Sequence, residues 1–251
     1  MKVRIKFSRT GPVKFLGHLD LMRYFQKAIR RADIDIKYTG GFSPHQVMSF
    51  AAPLGVGIES EGEYFDIEVN STPEENEAVL KLNKVMAQGI RIIEYHIIDD
   101  KAEKAMAAVA AAEYDISPRE RTGRYGFKEF SSHRILPELK SLVEKYIASP
   151  DEIPFKKKTK KSERIIDLKP LIYEAEVIDK SENSIRMLLS AGSAENLKPQ
   201  LVLEYLYGCV GGEYDPLAYR IIRRDVYRLR EGIETGRKRE DFIPLGEDVT
   251  S

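Results

Sequence analysis

An imidazole, a carboxylate and a glycine lie close together at residues 15–20, where a loop meets the first expected helix. Backbone N–H groups at a helix start are unpaired and attract anions, and Gly17 would let a phosphate approach them closely. His18 could transfer a proton, because imidazole titrates near neutral pH, and Asp20 could orient it. The alternative is structural: Asp20 favours the first helical turn and His18 packs in a polar pocket.

A second histidine, His45, ends a loop rich in glycine and proline at residues 38–45. Loops of this length in compact domains are often functional. Gly40, Gly41 and Phe42 suit single-stranded nucleic acid, because bases stack on aromatic rings and backbone amides contact phosphates. The alternative is a crossover whose glycines only allow positive φ angles. If the loop is catalytic, His18 and His45 are the candidate acid and base.

A third candidate is a run of five lysines in six residues, expected at a hairpin tip and followed by an arginine. Each phosphate that such a patch neutralises releases counterions, so binding depends strongly on salt. Its alternative is a solvated loop. The residues are Lys156, Lys157, Lys158, Lys160, Lys161 and Arg164.

Charge is segregated along the chain although the formal net charge is zero. Residues 1–53 hold ten bases and three acids, and residues 54–100 hold three bases and eleven acids. Blocks of this size can form separate basic and acidic surfaces. The bases expected on the outer side of the first helix are Arg23, Lys27, Arg30 and Arg31. Five more arginines follow near the C-terminus: Arg220, Arg223, Arg224, Arg228 and Arg230.

Hydrophobic periodicity predicts the elements of residues 1–98. Strands are expected at 3–7, 34–38, 64–69 and 90–98, from apolar residues at every second position. Helices are expected at 19–32 and 73–88, from apolar residues at helical spacing. The order is β-α-β-β-α-β, which is ferredoxin-like.

The remaining residues follow a similar order with weaker signals. Residues 99–112 are Ala-rich and are expected to form a helical connector. Residues 113–231 are expected to form a second ferredoxin-like domain that includes the basic hairpin, and residues 232–251 a mobile tail. The predicted fold is therefore α+β, with two ferredoxin-like halves in tandem and antiparallel sheets that carry helices on one face.

Composition excludes several classes of protein. Of the 251 residues, 42% are hydrophobic and 32% charged, which suits a folded chain and not a disordered one. The single cysteine excludes an intrachain disulfide and an all-cysteine metal site. No apolar run is long enough to cross a bilayer, and the four histidines have no metal-motif spacing. We expect a cytoplasmic protein without a membrane partner, metal or cofactor.

Several separated motifs together resemble the radical SAM-linked protein family, a domain of unknown function. They are residues 15–23, the basic helix to Arg31, residues 41–45, residues 52–60 and the lysine hairpin leading into residues 165–170. The resemblance runs from residue 2 to about residue 230. It implies a radical SAM protein as partner, fused to the chain or encoded beside it, and no settled activity. The chain lacks the radical SAM cysteine triplet, so it cannot itself hold that cluster.

The expected function is that of an accessory protein which binds RNA or ribonucleoprotein and presents it to the radical SAM partner. Two alternatives stay open. The tandem architecture is similar to that of the repeat-associated RNA-binding proteins and endoribonucleases of CRISPR systems, which would imply metal-independent RNA cleavage or modification by His18 and His45. A protein-interaction subunit would instead dock its partner through the acidic face of residues 54–100 or an apolar patch.

Overall fold

The computed structural model describes residues 1–119, 139–158, 163–179, 184–192 and 195–247. In the first part of the chain the elements are β1 (Lys2–Arg9), α1 (His18–Arg31), β2 (Met48–Phe50), β3 (Glu59–Glu68), α2 (Glu75–Asn83) and β4 (Ile90–Ile98). A short 3-10 helix, Gly11–Phe15, precedes α1. Residues 34–38, expected to be a strand, form only isolated bridges, Ile36 to Val69 and Tyr38 to Gln46.

The second part begins with a helix of four residues and contains seven strands. Its elements are α3 (Ala105–Ala108), β5 (Ala111–Pro118), α4 (Leu139–Val143), β6 (Pro154–Lys158), β7 (Glu163–Asp167), β8 (Ile172–Asp179), β9 (Ser184–Ser190), α5 (Pro199–Cys209), β10 (Tyr219–Leu229) and β11 (Phe242–Pro244). A π-helical turn, Glu144–Ala148, continues α4. The expected connector helix at 99–112 is confined to α3, because β5 already begins at Ala111.

One mostly antiparallel sheet of nine strands runs through both parts of the molecule, in the order β4-β1-β3-β10-β5-β9-β8. β2 pairs with β3, and β11 pairs with β10. The two expected sheets are therefore continuous, because β10 pairs in parallel with the start of β3. The hairpin β6–β7 forms a separate two-stranded sheet.

Gly62 makes the close approach of β3 and β10 possible. A Cβ at this position would lie 2.8 Å from the carbonyl oxygen of Arg224 and 2.5 Å from Oδ1 of Asp225. A side chain does not fit at these distances, so the junction requires glycine here.

The core follows from the period-2 pattern of the strands and the apolar stripe of α1. Val3, Ile5 and Phe7 of β1 are fully buried and pack with Phe25 of α1 and with residues of α2 and β4. Among the described residues three further core clusters lie under α4–α5, beside α3 and under the C-terminal segment. Each of these elements buries its apolar side against one face of a sheet, the usual layered solution for an α+β chain.

The segment expected to be a mobile tail contains a paired strand. Phe242 and Ile243 of β11, and Leu245 after it, are 2%, 5% and 0% exposed. The segment is polar overall, but β11 pairs with β10, and Phe242 and Leu245 pack into two of the core clusters. Residues 248–251 lie outside the described part of the chain.

Candidate nucleic-acid interface

The exposed side of α1 carries four bases. Arg23, Lys27, Arg30 and Arg31 are all exposed, and Leu21, Phe25, Ala28 and Ile29 are buried. The spacing of the bases, at positions i, i+4, i+7 and i+8, places them along one side of the helix. We call this set the α1 ridge. Arg23 also forms an exposed ion pair with Asp20 at 3.6 Å, and such pairs contribute little.

Most other bases of residues 1–53 are neutralised by the acidic block that follows. Across the strands Arg4 pairs with Asp66 at 2.9 Å and Lys6 with Asp225 at 2.8 Å. Four ion pairs join a base of residues 1–53 to an acid of residues 54–100: Arg4–Asp66, Arg9–Glu63, Lys14–Glu59 and Lys37–Glu68. Lys6 also lies 3.7 Å from Glu94 of the acidic block. Because these bases are paired with carboxylates, most of the excess positive charge of residues 1–53 lies on the α1 ridge.

The glycine-rich loop, residues 38–45, flanks the α1 ridge on one side. Gln46, directly after the loop, donates a hydrogen bond from Nε2 to the carbonyl oxygen of Gln26 in α1 at 3.1 Å. Phe42 is fully exposed, and a Cβ at Gly40 or Gly41 would meet nothing within 4 Å. Gly41 has φ +96°, a conformation that favours glycine. The loop thus offers an open backbone and a free aromatic ring beside the ridge, as binding of unpaired bases requires.

The other flank of the ridge meets the end of α2. The hydroxyl of Tyr24 accepts a hydrogen bond from the backbone N–H of Ala87 at 2.6 Å, and Arg31 donates to the carbonyl oxygen of Val85 at 3.2 Å. These contacts fix the helix and leave most of the ridge facing solvent.

His18 begins α1, with Gly17 as the N-cap. Its ring packs edge-on against Phe50, with 5.3 Å between the ring centroids. Asp20 is exposed in the first turn and pairs with Arg23. No hydrogen bond joins His18 to Asp20 in the structure, so the orienting carboxylate anticipated for His18 is not provided by Asp20 in this arrangement.

His45 precedes β2. Phe50 packs on Phe25 of α1, whereas His45, Val47 and Ser49 alternate with Phe50 along the chain and line a cavity on the opposite face, together with Gln46 and Met48. Four residues lie between His45 and Phe50, so their Cα atoms are about 16 Å apart where the segment is fully extended. A general acid and base that act on one bond must both reach it. No hydrogen bond or ring contact joins His18 to His45 among the described residues, and their action as a pair stays a prediction.

The lysine hairpin packs on a different core from α1. Phe155 and Ile166 contact the cluster under α4 and α5, and Lys156 is exposed opposite Ile165. For Lys157, Lys158 and Arg164 the structure gives the strand positions, and Lys160 and Lys161 lie outside the described residues. A common cradle formed by α1 and the hairpin stays a prediction.

The arginines of β10 are engaged in hydrogen bonds and ion pairs within the protein. Arg220 donates two hydrogen bonds to Glu59, and Arg224 binds Asp115 at 2.5 Å. Burial alone would raise the pKa of Glu59, but the hydrogen bonds from Arg220 and Lys14 hold the pKa of this carboxyl below its ordinary value. These contacts stabilise the sheet, and the charges of Arg220 and Arg224 are matched by the carboxylates they bind, although the side chain of Arg220 is 53% exposed.

Sequence reasoning missed a buried charge cluster between the two larger cores. Arg9 and Arg223 lie on either side of Glu63, with Arg9 Nε 2.9 Å from Oε1 and Arg223 Nη2 3.5 Å from Oε2, and all three are at most 3% exposed. The arginines also donate to the carbonyl oxygens of Leu16 and Ala52, both at 3.0 Å. The cluster thus ties the loops that hold two of the sequence motifs to the sheet. Only the register of β1, β3 and β10 creates it.

A family model described as an uncharacterized protein conserved in bacteria, DUF2344, matches residues 2–199. The chain belongs to this family. A search of the curated proteins finds no match. Among solved structures, one similar chain comes from the crystal structure of a Cbf5–Nop10–Gar1 complex, with 9% identity and a TM-score of 0.47. The alignment covers 89% of this chain and 48% of the chain from that complex, so this chain spans about half the length of the similar one.

The described residues contain no helix that is both long and apolar enough to span a bilayer. Within the same residues, no group of three His, Cys, Asp or Glu side chains is placed to hold a metal ion.

Proposed function

We propose that this member of the DUF2344 family binds RNA or ribonucleoprotein along the α1 ridge and presents it to a radical SAM partner enzyme. The observation that carries the proposal is the selective neutralisation of charge. Arg4, Lys6 and Arg9 of β1 pair with carboxylates, whereas the bases of the α1 ridge stay on an exposed helix face. A basic helix face beside a loop with an exposed aromatic ring is the arrangement that holds phosphates and stacks bases.

Two ferredoxin-like halves are part of the proposal. The strand orders β4-β1-β3-β2 and β10-β5-β9-β8, each with antiparallel neighbours, support this interpretation. In this view β6 and β7 are an insertion in the second half that carries the lysine run to its edge. The radical SAM partner comes from the motif resemblance alone.

The test is crosslinking and sequencing of RNA bound in cells. The α1 variant replaces Arg23, Lys27, Arg30 and Arg31 by Gln. A control variant makes the same change at four exposed bases elsewhere: Lys101, Lys145, Lys198 and Arg237. We expect the α1 variant to lose the crosslinked RNA and the control to keep it. Equal recovery of RNA from both variants would refute the assignment to α1.

A protein-interaction subunit is the second candidate, and an exposed apolar patch beside α1 favours it. Phe15, Leu19 and Val56 are about 60% exposed, and the ring of Phe15 lies 4.0 Å from the Cβ position at Gly57. Large apolar residues that cluster on a surface often mark a protein contact. Replacing Phe15 and Val56 by Ser should abolish co-purification of a co-expressed radical SAM partner, and the α1 variant should keep it. Unchanged co-purification with both variants would remove this patch as the docking site.

A further inference from the structure

A cavity of about 240 Å³ lies on the face of β2 that is turned away from α1. Its walls come from five separate stretches of the chain, at residues 2, 39, 45–49, 66–68 and 104. Val47 and Ser49 belong to the β2 region, His45 to the glycine-rich loop, and Lys2 and Lys104 to the start of β1 and the residue before α3. No motif in the sequence predicts it.

The carboxylates in the cavity wall already have partners. Asp66 accepts two hydrogen bonds from Arg4, at 2.9 and 3.1 Å, and one from the backbone N–H of Ala105 at 2.7 Å. Glu68 accepts from Lys37 at 2.8 Å, and this bond lowers the pKa of Glu68. Arg4 and Lys37, the bases that bind these carboxylates, lie outside the cavity wall, and the charge of Lys2 in the wall also helps to lower the pKa of Glu68.

The two ammonium groups in the wall are not compensated in this way. Lys2 donates to the backbone carbonyl oxygens of Asp100 and Ala102 and forms no ion pair within the described residues. Lys104 is exposed and likewise has no carboxylate partner among them. Asp66 and Glu68 are bound by Arg4 and Lys37, whereas Lys2 and Lys104 form no ion pair within the described residues, so positive charge is in excess around the cavity and favours an anionic ligand.

His45 adds a hydrogen-bonding requirement. Its Nδ1 lies 3.3 Å from the carbonyl oxygen of Ser43 and 3.2 Å from Oγ1 of Thr39. A carbonyl oxygen can only accept, so this contact assigns the proton of the neutral ring to Nδ1. Nε2 is then an acceptor, and no described residue donates to it. A ligand that fits therefore has both an anionic group and an O–H or N–H donor.

We infer that this cavity binds a terminal nucleotide that carries a phosphate monoester. The phosphate lies at Lys2 and Lys104, a ribose hydroxyl or base N–H donates to His45, and the base lies along the apolar surface of Val47. Pockets for drug-sized ligands are roughly 300–1,000 Å³, so this one takes no more than a single nucleotide. The inference rests on the proposed function, because the nucleotide belongs to the RNA held by the α1 ridge.

The glycine-rich loop connects the two sites at the edge of the sheet. Its C-terminal neighbour Gln46 touches α1, whereas Thr39 and His45 line the cavity. An RNA strand that is bound on the α1 ridge and crosses this loop would place its terminal nucleotide on the other face of the sheet. This path explains why the loop backbone has to stay open at Gly40 and Gly41.

The test measures binding of one ten-nucleotide single-stranded RNA in three forms by fluorescence anisotropy: with a 5′-phosphate, with a 3′-phosphate, and with hydroxyls at both ends. We expect one phosphorylated form to bind about tenfold more tightly than the hydroxyl form, the effect of one or two charge-assisted hydrogen bonds. Lys104→Ala should remove this difference. Lys101→Ala, an exposed lysine outside the cavity wall, should preserve it.

The outcomes separate the two proposals. If the hydroxyl form binds and neither phosphate improves the affinity, the cavity inference is wrong and binding along α1 stands. If no RNA form binds, the proposed function fails. A calorimetric titration with adenosine monophosphate then tests whether the cavity binds a nucleotide. Saturable binding that Lys104→Ala weakens would keep a nucleotide site with a free mononucleotide as ligand. No binding would overturn it.

Discussion

The salt dependence of RNA binding gives the sharpest test of the α1 ridge. From Arg23 to Arg31 the helix rises about 12 Å, at 1.5 Å per residue. A duplex carries about seven phosphate charges over that length, so each of the four bases can reach one. For a single strand, each neutralised phosphate adds about 0.7 to the slope of log affinity against log salt. The ridge therefore accounts for a slope of about 3.

Between 50 and 200 mM salt this slope corresponds to a loss of affinity of about 50-fold. If the hairpin lysines raise the number of neutralised phosphates to about six, the loss becomes about 300-fold for a single strand, and on the order of 10³-fold for a duplex, where each phosphate adds about 0.9 to the slope. Replacing the four ridge bases by Gln should flatten the slope by about 3 and weaken binding most at low salt. The measurement is an anisotropy titration of single-stranded RNA at five salt concentrations.

The control variant at Lys101, Lys145, Lys198 and Arg237 changes the net charge by the same amount. It should keep the slope of the wild type, because a long-range effect of net charge is screened beyond a Debye length of about 8 Å at physiological ionic strength. A slope that is equal in the α1 variant and in the wild type would refute the reasoning. Equal flattening in both variants would mean that net charge, and not the ridge, governs binding.

Three further changes test the fold that positions these sites, each by urea unfolding. Glu63→Gln leaves two buried arginines without a counter-charge and should lower the free energy of unfolding by about 3–5 kcal/mol. Its control, Glu61→Gln at a half-exposed position, should lower it by less than about 1 kcal/mol. Equal losses would contradict the role of the buried cluster. Gly62→Ala should destabilise strongly, because its Cβ would meet backbone at 2.8 Å, while Gly55→Ala makes an ordinary contact at 3.7 Å and should be tolerated. Phe242→Ala should cost about 3–5 kcal/mol, and a neutral result would restore the mobile tail.

Local patterns predicted the elements well where one face is buried. The expected helix at 19–32 is α1 within one residue at each end, and the expected strand at 90–98 is β4. In both, the apolar period matches the geometry of the element and is not interrupted by glycine or proline. The strand in the C-terminal segment was not predicted, because three apolar residues in a polar stretch carry no period, although β10 pairs with β11 and the core accepts Phe242 and Leu245.

The sites depend on register, which a sequence does not display. Arg9 and Glu63 are 54 positions apart, and their contact requires the pairing of β1 with β3 and the bulge between Phe7 and Arg9. The cavity likewise joins residues 2, 45–49, 66–68 and 104 through the edge of the same sheet. A composition argument can locate charge, but it cannot say which charges meet.

This difference explains why a block of the sequence with a strong net charge is a poor guide to a charged surface. On neighbouring strands, facing side chains lie about 5 Å apart, so opposite charges pair as soon as the register brings them together. The outer side of a helix has no such neighbour, and its charges stay in solvent. In residues 1–53, Arg4 and Arg9 of β1 are paired with Asp66 and Glu63, whereas the bases of the α1 ridge stay exposed. A search for binding surfaces in charge-segregated chains should therefore count the bases on exposed helix faces and set aside those on paired strands.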